Sequence, residues 1–191
     1  MTKSLAPTLL LAAPRLADPN FERRVVLLGR HEAAGALGWV LNGPALDSVG
    51  RLLQAADLVP AGVRIPASDA FAAPARVGGP VTPESGWLIY PQGPTFDGAI
   101  DAGGVSVCSN AAALDAVVRG QEPRRFRLVL GYAGWDAGQL ETELREGVWL
   151  PAALDVSLVF DTDPDELWDV AFERATGAPG IAFAGKTWGI A

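Results

Sequence analysis

The chain is short of the residues from which most hydrolytic and metal centres are made: its 191 residues include one cysteine, Cys108, and one histidine, His31. A lone cysteine excludes an internal disulfide framework, and a single histidine beside it leaves no ligand cluster for zinc. Basic residues are also scarce, with 15 Lys and Arg against 22 Asp and Glu and a formal net charge of −7. Phosphate backbones repel such a chain, so the balance argues against direct DNA binding. The one basic cluster, Arg124, Arg125 and Arg127, stands at the entrance of an apolar run and reads as a solvated strand end. No stretch reaches the roughly 18 uninterrupted apolar residues of a transmembrane helix, and no membrane association is expected. The apolar residues behind Lys3 imitate a secretory leader, but Pro7 breaks them and Pro14 and Arg15 follow at once. They read as a first strand, and the expected compartment is the cytoplasm.

What remains is a globular composition, 49% hydrophobic and 19% charged. The length suits one domain over residues 1–191 that buries roughly 70% of its unfolded surface. Strands are expected over 8–13, 25–28, 36–41, 87–90, 105–108, 125–130 and 154–160. Helices are expected from a cap at Asp47 or Ser48 to about 58, from Ser109 or Asn110 to 120, after Asp136, and from Asp163 to 177. The close spacing of 25–28 and 36–41 implies a hairpin. Residues 60–75 read as a long surface excursion and 91–104 as loop, with a rigid turn at Gly78-Gly79-Pro80 between them. Strands and helices mix without regular alternation, which points to α+β.

The unit over 128–150 is the densest. Its strand is expected to end at Gly131, and Asp136 to cap a helix with Gln139 reaching back to the Asp136 amide. Leu140 and Leu144 then share a buried face, Glu141 pairs with Arg145, and Gly147 stops the helix. Those rules do not explain why Tyr132, Trp135 and Trp149 crowd one short unit.

Chemistry is weighed against structure at each candidate. His31 and Cys108 are the obvious nucleophile pair, but no third orienting residue is identifiable, and Cys108 ends an apolar strand where a thiol packs as a small hydrophobe. Asp136, Glu141, Glu143 and Glu146 could supply paired carboxylates and equally suit a solvated helix face. Asp161, Asp163 and Asp165 open like a calcium loop, but Pro164 interrupts and no glycine follows. The string Gly180 to Thr187 matches a phosphate loop by letter and lacks the following helix that such a loop needs. No cofactor and no metal is expected.

The run Gly131-Tyr132-Ala133-Gly134-Trp135-x-x-Gly138-Gln139-Leu140-Glu141-x-Glu143, followed by Trp149-Leu150, resembles the YqgE/AlgH family of bacterial proteins. The likeness extends to Leu9 through Pro14 with Asp18 and Phe21, Val25 through Leu28 leading to His31, Gly38 and Asn42, the Gly78-Gly79-Pro80-Val81 turn, and Leu167-Trp168. It implies an α+β fold whose bifurcated, mixed and largely antiparallel sheet curls into a pseudo-barrel with flanking helices. It also implies an association with transcriptional regulation. The expectation is therefore a non-enzymatic protein that acts through a protein partner. Its candidate groove is bordered by His31, Asn42, Gly78, Gly79, Tyr132, Trp135, Gln139 and Glu143, since aromatics beside acids suit recognition surfaces. The alternative is a hydrolase or transferase using His31 with a carboxylate of the Glu141 to Glu146 helix.

Overall fold

The structure is a computed structural model and describes residues 4–180. Its first strand, β1 (Thr8–Ala12), is buried on both faces, which is why its sequence is an unbroken apolar run and not an alternating one. β2 (Val25–Glu32) and β3 (Gly35–Val40) form the expected hairpin, with a register shift between Leu28 and Arg30. A short β4 (Ala45–Ser48) precedes α1 (Val49–Ala55), whose first turn is capped by the Ser48 side chain. Residues 60–75 are not all surface excursion: α2 (Asp69–Ala72) buries Phe71, and β5 (Pro74–Val77) buries Ala75 and Arg76. β6 (Val81–Pro91) starts earlier than the apolar pattern indicates, and β7 (Ile100–Asp101) lies inside the expected loop. β8 (Val105–Cys108) and α3 (Ala111–Val118), capped by Asn110, fall where the sequence puts them.

The strand before the densest unit does not end at Gly131; β9 runs Arg127–Asp136. Gly131 has φ +74°, so it bends the strand instead of stopping it. Asp136 is therefore the last strand residue and not a helix cap. The N-cap of α4 (Gln139–Arg145) is Gly138, while the Gln139 side chain does accept the Asp136 amide at 3.0 Å. β10 (Trp149–Ala152) follows the Gly147 stop. The apolar stretch after it is a correction: it forms a helix, α5 (Val156–Asp161), because Asp155 accepts the Ser157 amide and hydroxyl at 2.8 Å and opens a helical turn. α6 (Leu167–Thr176) buries Leu167, Trp168, Ala171 and Phe172 as its periodicity requires. Asp163 and Pro164 shape the turn before it, and Glu166 is its cap position.

The ten strands form one branched sheet whose order is β10-β1-β2-β3-β9-β6-β8-β7, with β5 also pairing to β9 and β4 to β5. All pairs are antiparallel except β5 with β9, so the sheet is mixed. β9 serves two branches: residues 133–136 pair with β3, whereas residues 127–130 pair with β5 and β6. The order is open, ending at β10 and β7, so the sheet does not close into a barrel.

Helices cover three apolar faces. Leu9, Leu11, Leu27, Trp39 and Val129 pack under α5 and α6. The opposite face of the first branch, with Leu10, Val26 and Leu28, packs against Leu140 and Leu144 of α4. In the second branch Leu88, Tyr90 and Leu128 pack under α1 and α3. Each fully buried Leu or Phe contributes about 2 kcal/mol to folding. Burial on these three faces is what packs the helices onto the two branches.

Candidate functional site

The polar residues that look chemical in the sequence sit mainly in the first branch, and there they are used internally. His31, on β2, is buried, with its side chain 4% exposed. Its Nδ1 accepts the Leu5 amide at 3.1 Å, and its Nε2 lies 3.2 Å from Glu141 Oε1. A ring nitrogen that accepts an amide carries no proton, so the hydrogen sits on Nε2 and is donated to Glu141. Both nitrogens are spent, and no lone pair is left for a general base in this arrangement. The direct hydrogen bond of Arg145 goes to Thr142 Oγ1 at 2.9 Å, and its attraction to Glu141 acts only through charge. The Glu141 carboxyl is held below its usual value, first by its own main-chain amide and then by the His31 ring.

Glu143 joins two other expected groove residues, Trp135 and Gln139, and adds Trp149. Its Oε2 accepts the indole hydrogens of Trp135 at 2.8 Å and Trp149 at 2.7 Å, and its Oε1 accepts Gln139 at 2.8 Å. Trp135 and Trp149 meet edge to face at 5.9 Å, so one carboxylate fastens α4 to β9 and β10. Asn42 fastens the start of β2: its Oδ1 accepts the Val25 amide at 2.8 Å and its Nδ2 donates to Arg23 O at 2.9 Å. Gly78 and Gly79 lie where the branches separate. The Gly78 amide donates to Leu130 O at 2.6 Å and its carbonyl accepts Val40. A Cβ on either glycine would overlap the main chain of Gly131 or Tyr132, and Gly79 has φ +153°. The glycines are thus required by backbone-on-backbone contact. Tyr132 packs edge to face on Trp87 at 6.1 Å. His31 and Cys108 fall in different branches, and the Cys108 thiol accepts the Asn110 amide. Among the described residues no group of three or more His, Cys, Asp or Glu is placed to hold a metal, and no helix is long and apolar enough to cross a membrane. Apart from Gly180, the phosphate-loop lookalike lies outside the described residues.

A polar cleft of about 310 Å³ at the start of β2 is lined by Arg23, Arg24 and Asn42 with Asp165 and Trp168, and larger clefts belong to the second branch. One is an apolar groove of about 360 Å³ between α1 and α3. Leu88, Leu128 and Leu130 floor it; Leu52, Leu58 and Leu114 wall it; and Glu84 and Asn110 supply its polar rim. Leu58 is 50% exposed there. A second, larger cleft contains the basic cluster together with Arg76 and the turn before α6. Its Arg124 and Arg125 are solvated as expected, each paired with an acid, Glu122 and Asp161. Arg127 is half-buried and donates to Thr162 O at 2.9 Å. Burial first, then the neighbouring Arg76 and Arg125 charges, hold its guanidinium below the usual arginine value. Sequence reasoning missed Arg76 altogether. The available signal was an arginine between Ala75 and Val77 in an otherwise apolar strand. Leu58 and Leu114 gave no signal, because an exposed leucine and a helix leucine are both ordinary.

The chain matches the model of a family described as AlgH-like over residues 9–180. A UPF0301 protein of Anaeromyxobacter dehalogenans is 43% identical over 175 residues, covering 89% of this chain and 87% of the relative. One from Xanthomonas campestris is 37% identical over 171 residues, covering 89% and 88%. The solution structure of the AlgH protein from Pseudomonas aeruginosa superposes with TM-score 0.75 at 30% identity over 100% of both chains. A crystal structure from Corynebacterium diphtheriae, TM-score 0.70 at 22% identity over 91% and 88%, shares the fold. On the family match and the relatives' identity together, the chain belongs to the AlgH-like family of UPF0301 proteins.

Proposed function

We propose that the protein is a non-enzymatic, cytoplasmic protein with a regulatory role, acting by holding a segment of a protein partner in the apolar groove between α1 and α3. The observation that supports this reading most is the groove: leucines on three sides, few polar atoms, and a half-exposed Leu58 at the rim. Such a channel suits an amphipathic helix or extended peptide whose apolar side chains fill it. Glu84 at the rim, in a chain of net charge −7, favours a partner segment carrying basic residues. The curl of the branched sheet into a pseudo-barrel belongs to the same proposal, since it would keep the groove floor rigid.

The test is affinity capture with a Leu58→Glu, Leu114→Glu double variant beside the exposed control Arg145→Ala. The expected result is a partner retained by the wild type and the control and lost by the groove variant. Retention by all three overturns the reading. A hydrolase or transferase centred on His31 is the second reading, favoured by the 3.2 Å contact with Glu141. It requires the Leu5 amide to leave Nδ1, and a His31→Gln variant with unchanged turnover of every substrate tried would remove it.

A further inference from the structure

The larger cleft of the second branch contains an arrangement that folding alone does not account for. The Arg76 side chain is 9% exposed, and guanidinium groups so buried are held by fixed partners. Here one partner is fixed, the Gly43 carbonyl at 3.0 Å. The carboxylate partner is Asp165 at 2.8 Å, and its side chain is 77% exposed. A buried cation is thus neutralised by a carboxylate that stands in water on the turn before α6, free to swing away. Beside it, Arg127 enters the same cleft. Arg76 pairs with Val129 in the parallel β5–β9 ladder, and Arg127 lies two residues before Val129, so both arginines emerge on one face of the sheet. None of the ion pairs among the described residues includes Arg127.

The outer charges are already balanced, Arg124 by Glu122 and Arg125 by Asp161. Asp163 is engaged by the Asp165 amide at 2.9 Å. Facing about 710 Å³ of open cleft are the Arg76 and Arg127 guanidiniums and the displaceable Asp165 carboxylate; Arg127 spends one N–H on Thr162 O at 2.9 Å and feels the Asp163 charge, which leaves the rest of its fork for a ligand. We propose that this cleft is an anion site for a small phosphorylated compound, whose phosphoryl oxygens replace Asp165 on Arg76 and take a second fork from Arg127. A phosphate monoester offers three acceptor oxygens and up to two negative charges to two forks, whereas a monocarboxylate answers only one. The volume suits a ligand of nucleotide size. Asp69 and Asp163 on the rim, with the negative chain around them, exclude a nucleic acid backbone and leave a compact ligand.

The test is calorimetric titration of the full chain, at low ionic strength, with inorganic phosphate, pyrophosphate and acetate. Saturable binding of phosphate and pyrophosphate is expected, with acetate at least about tenfold weaker. Asp165→Asn removes the competitor and should tighten phosphate about three- to tenfold, and Arg127→Gln should weaken it by about tenfold or more with its Tm near that of the wild type. If Arg127→Gln does not fold, Asp165→Asn decides alone: tightening supports the site, and unchanged affinity overturns it. The proposal is likewise overturned by no saturable phosphate binding in either wild type or Asp165→Asn, by wild-type affinity in folded Arg127→Gln, or by acetate binding as tightly as phosphate.

Discussion

The two branches of the sheet use their polar residues in opposite ways. In the first branch, His31 and Asn42 tie together segments far apart in sequence, Glu143 ties α4 to its neighbours β9 and β10, and their hydrogen-bonding groups end on the protein itself. In the second, Arg76 and Arg127 face an open cleft, and a leucine-lined groove lies between helices. The side chains that look reactive in a sequence are here the fasteners, while the openings are lined by residues that look like core or solvated surface. Residue type signals chemistry only where hydrogen-bonding capacity is left over, and that surplus is a property of the fold.

The comparison is broken most severely at the junction. Gly79→Ala forces a Cβ into the Tyr132 backbone at a positive φ and is expected to cost about 4 kcal/mol or more in urea unfolding, disabling both branches together. Glu143→Ala comes next: it strands the Trp135 and Trp149 indole hydrogens and should cost about 3 kcal/mol. The capture of a partner by the groove should survive it, measured on material still folded by circular dichroism. Leu114→Glu reverses the pattern, losing capture for a stability cost of about 1 kcal/mol because its side chain is only partly buried.

A pH test follows from α5. The Ser157 side chain first, and then its amide, hold the Asp155 carboxyl below its ordinary 3.8. With the folded value below the unfolded one, the stabilisation is complete above the unfolded value and is lost as pH falls through the folded one. Asp155→Asn is therefore expected to be less stable than wild type at pH 7, with the gap closing as acid unfolding is followed downward from about pH 4. Smallest is Arg51→Ala, which breaks an exposed pair with Asp47 and should change stability by no more than about 0.5 kcal/mol.

Much of the fold is legible because local rules act there unopposed. β8 and α3 follow from an apolar run and an Asn cap, and α6 from a clean apolar stripe. Reading fails where a distant partner decides. Residues 156–161 are as apolar as a buried strand, yet an Asp155 cap and the packing of Leu158 and Val159 against the sheet make them helical. Gly131 reads as a stop, but the main chain of Gly79 approaches so closely that a bend without a side chain is needed mid-strand. The family resemblance is carried by residues of the first branch and the junction, whose contacts fix the architecture. It says little of the clefts: Arg76 and Leu58 are absent from that run, and only three-dimensional neighbours distinguish them from ordinary residues.

The doubled pairing of β9 has a consequence for how the molecule comes apart. One ten-residue strand supplies hydrogen bonds to three others, so neither branch can open fully without stripping a ladder from the other. Amide protons of 128–135 should therefore exchange with solvent only through whole-molecule opening, and heating should give one transition and not two.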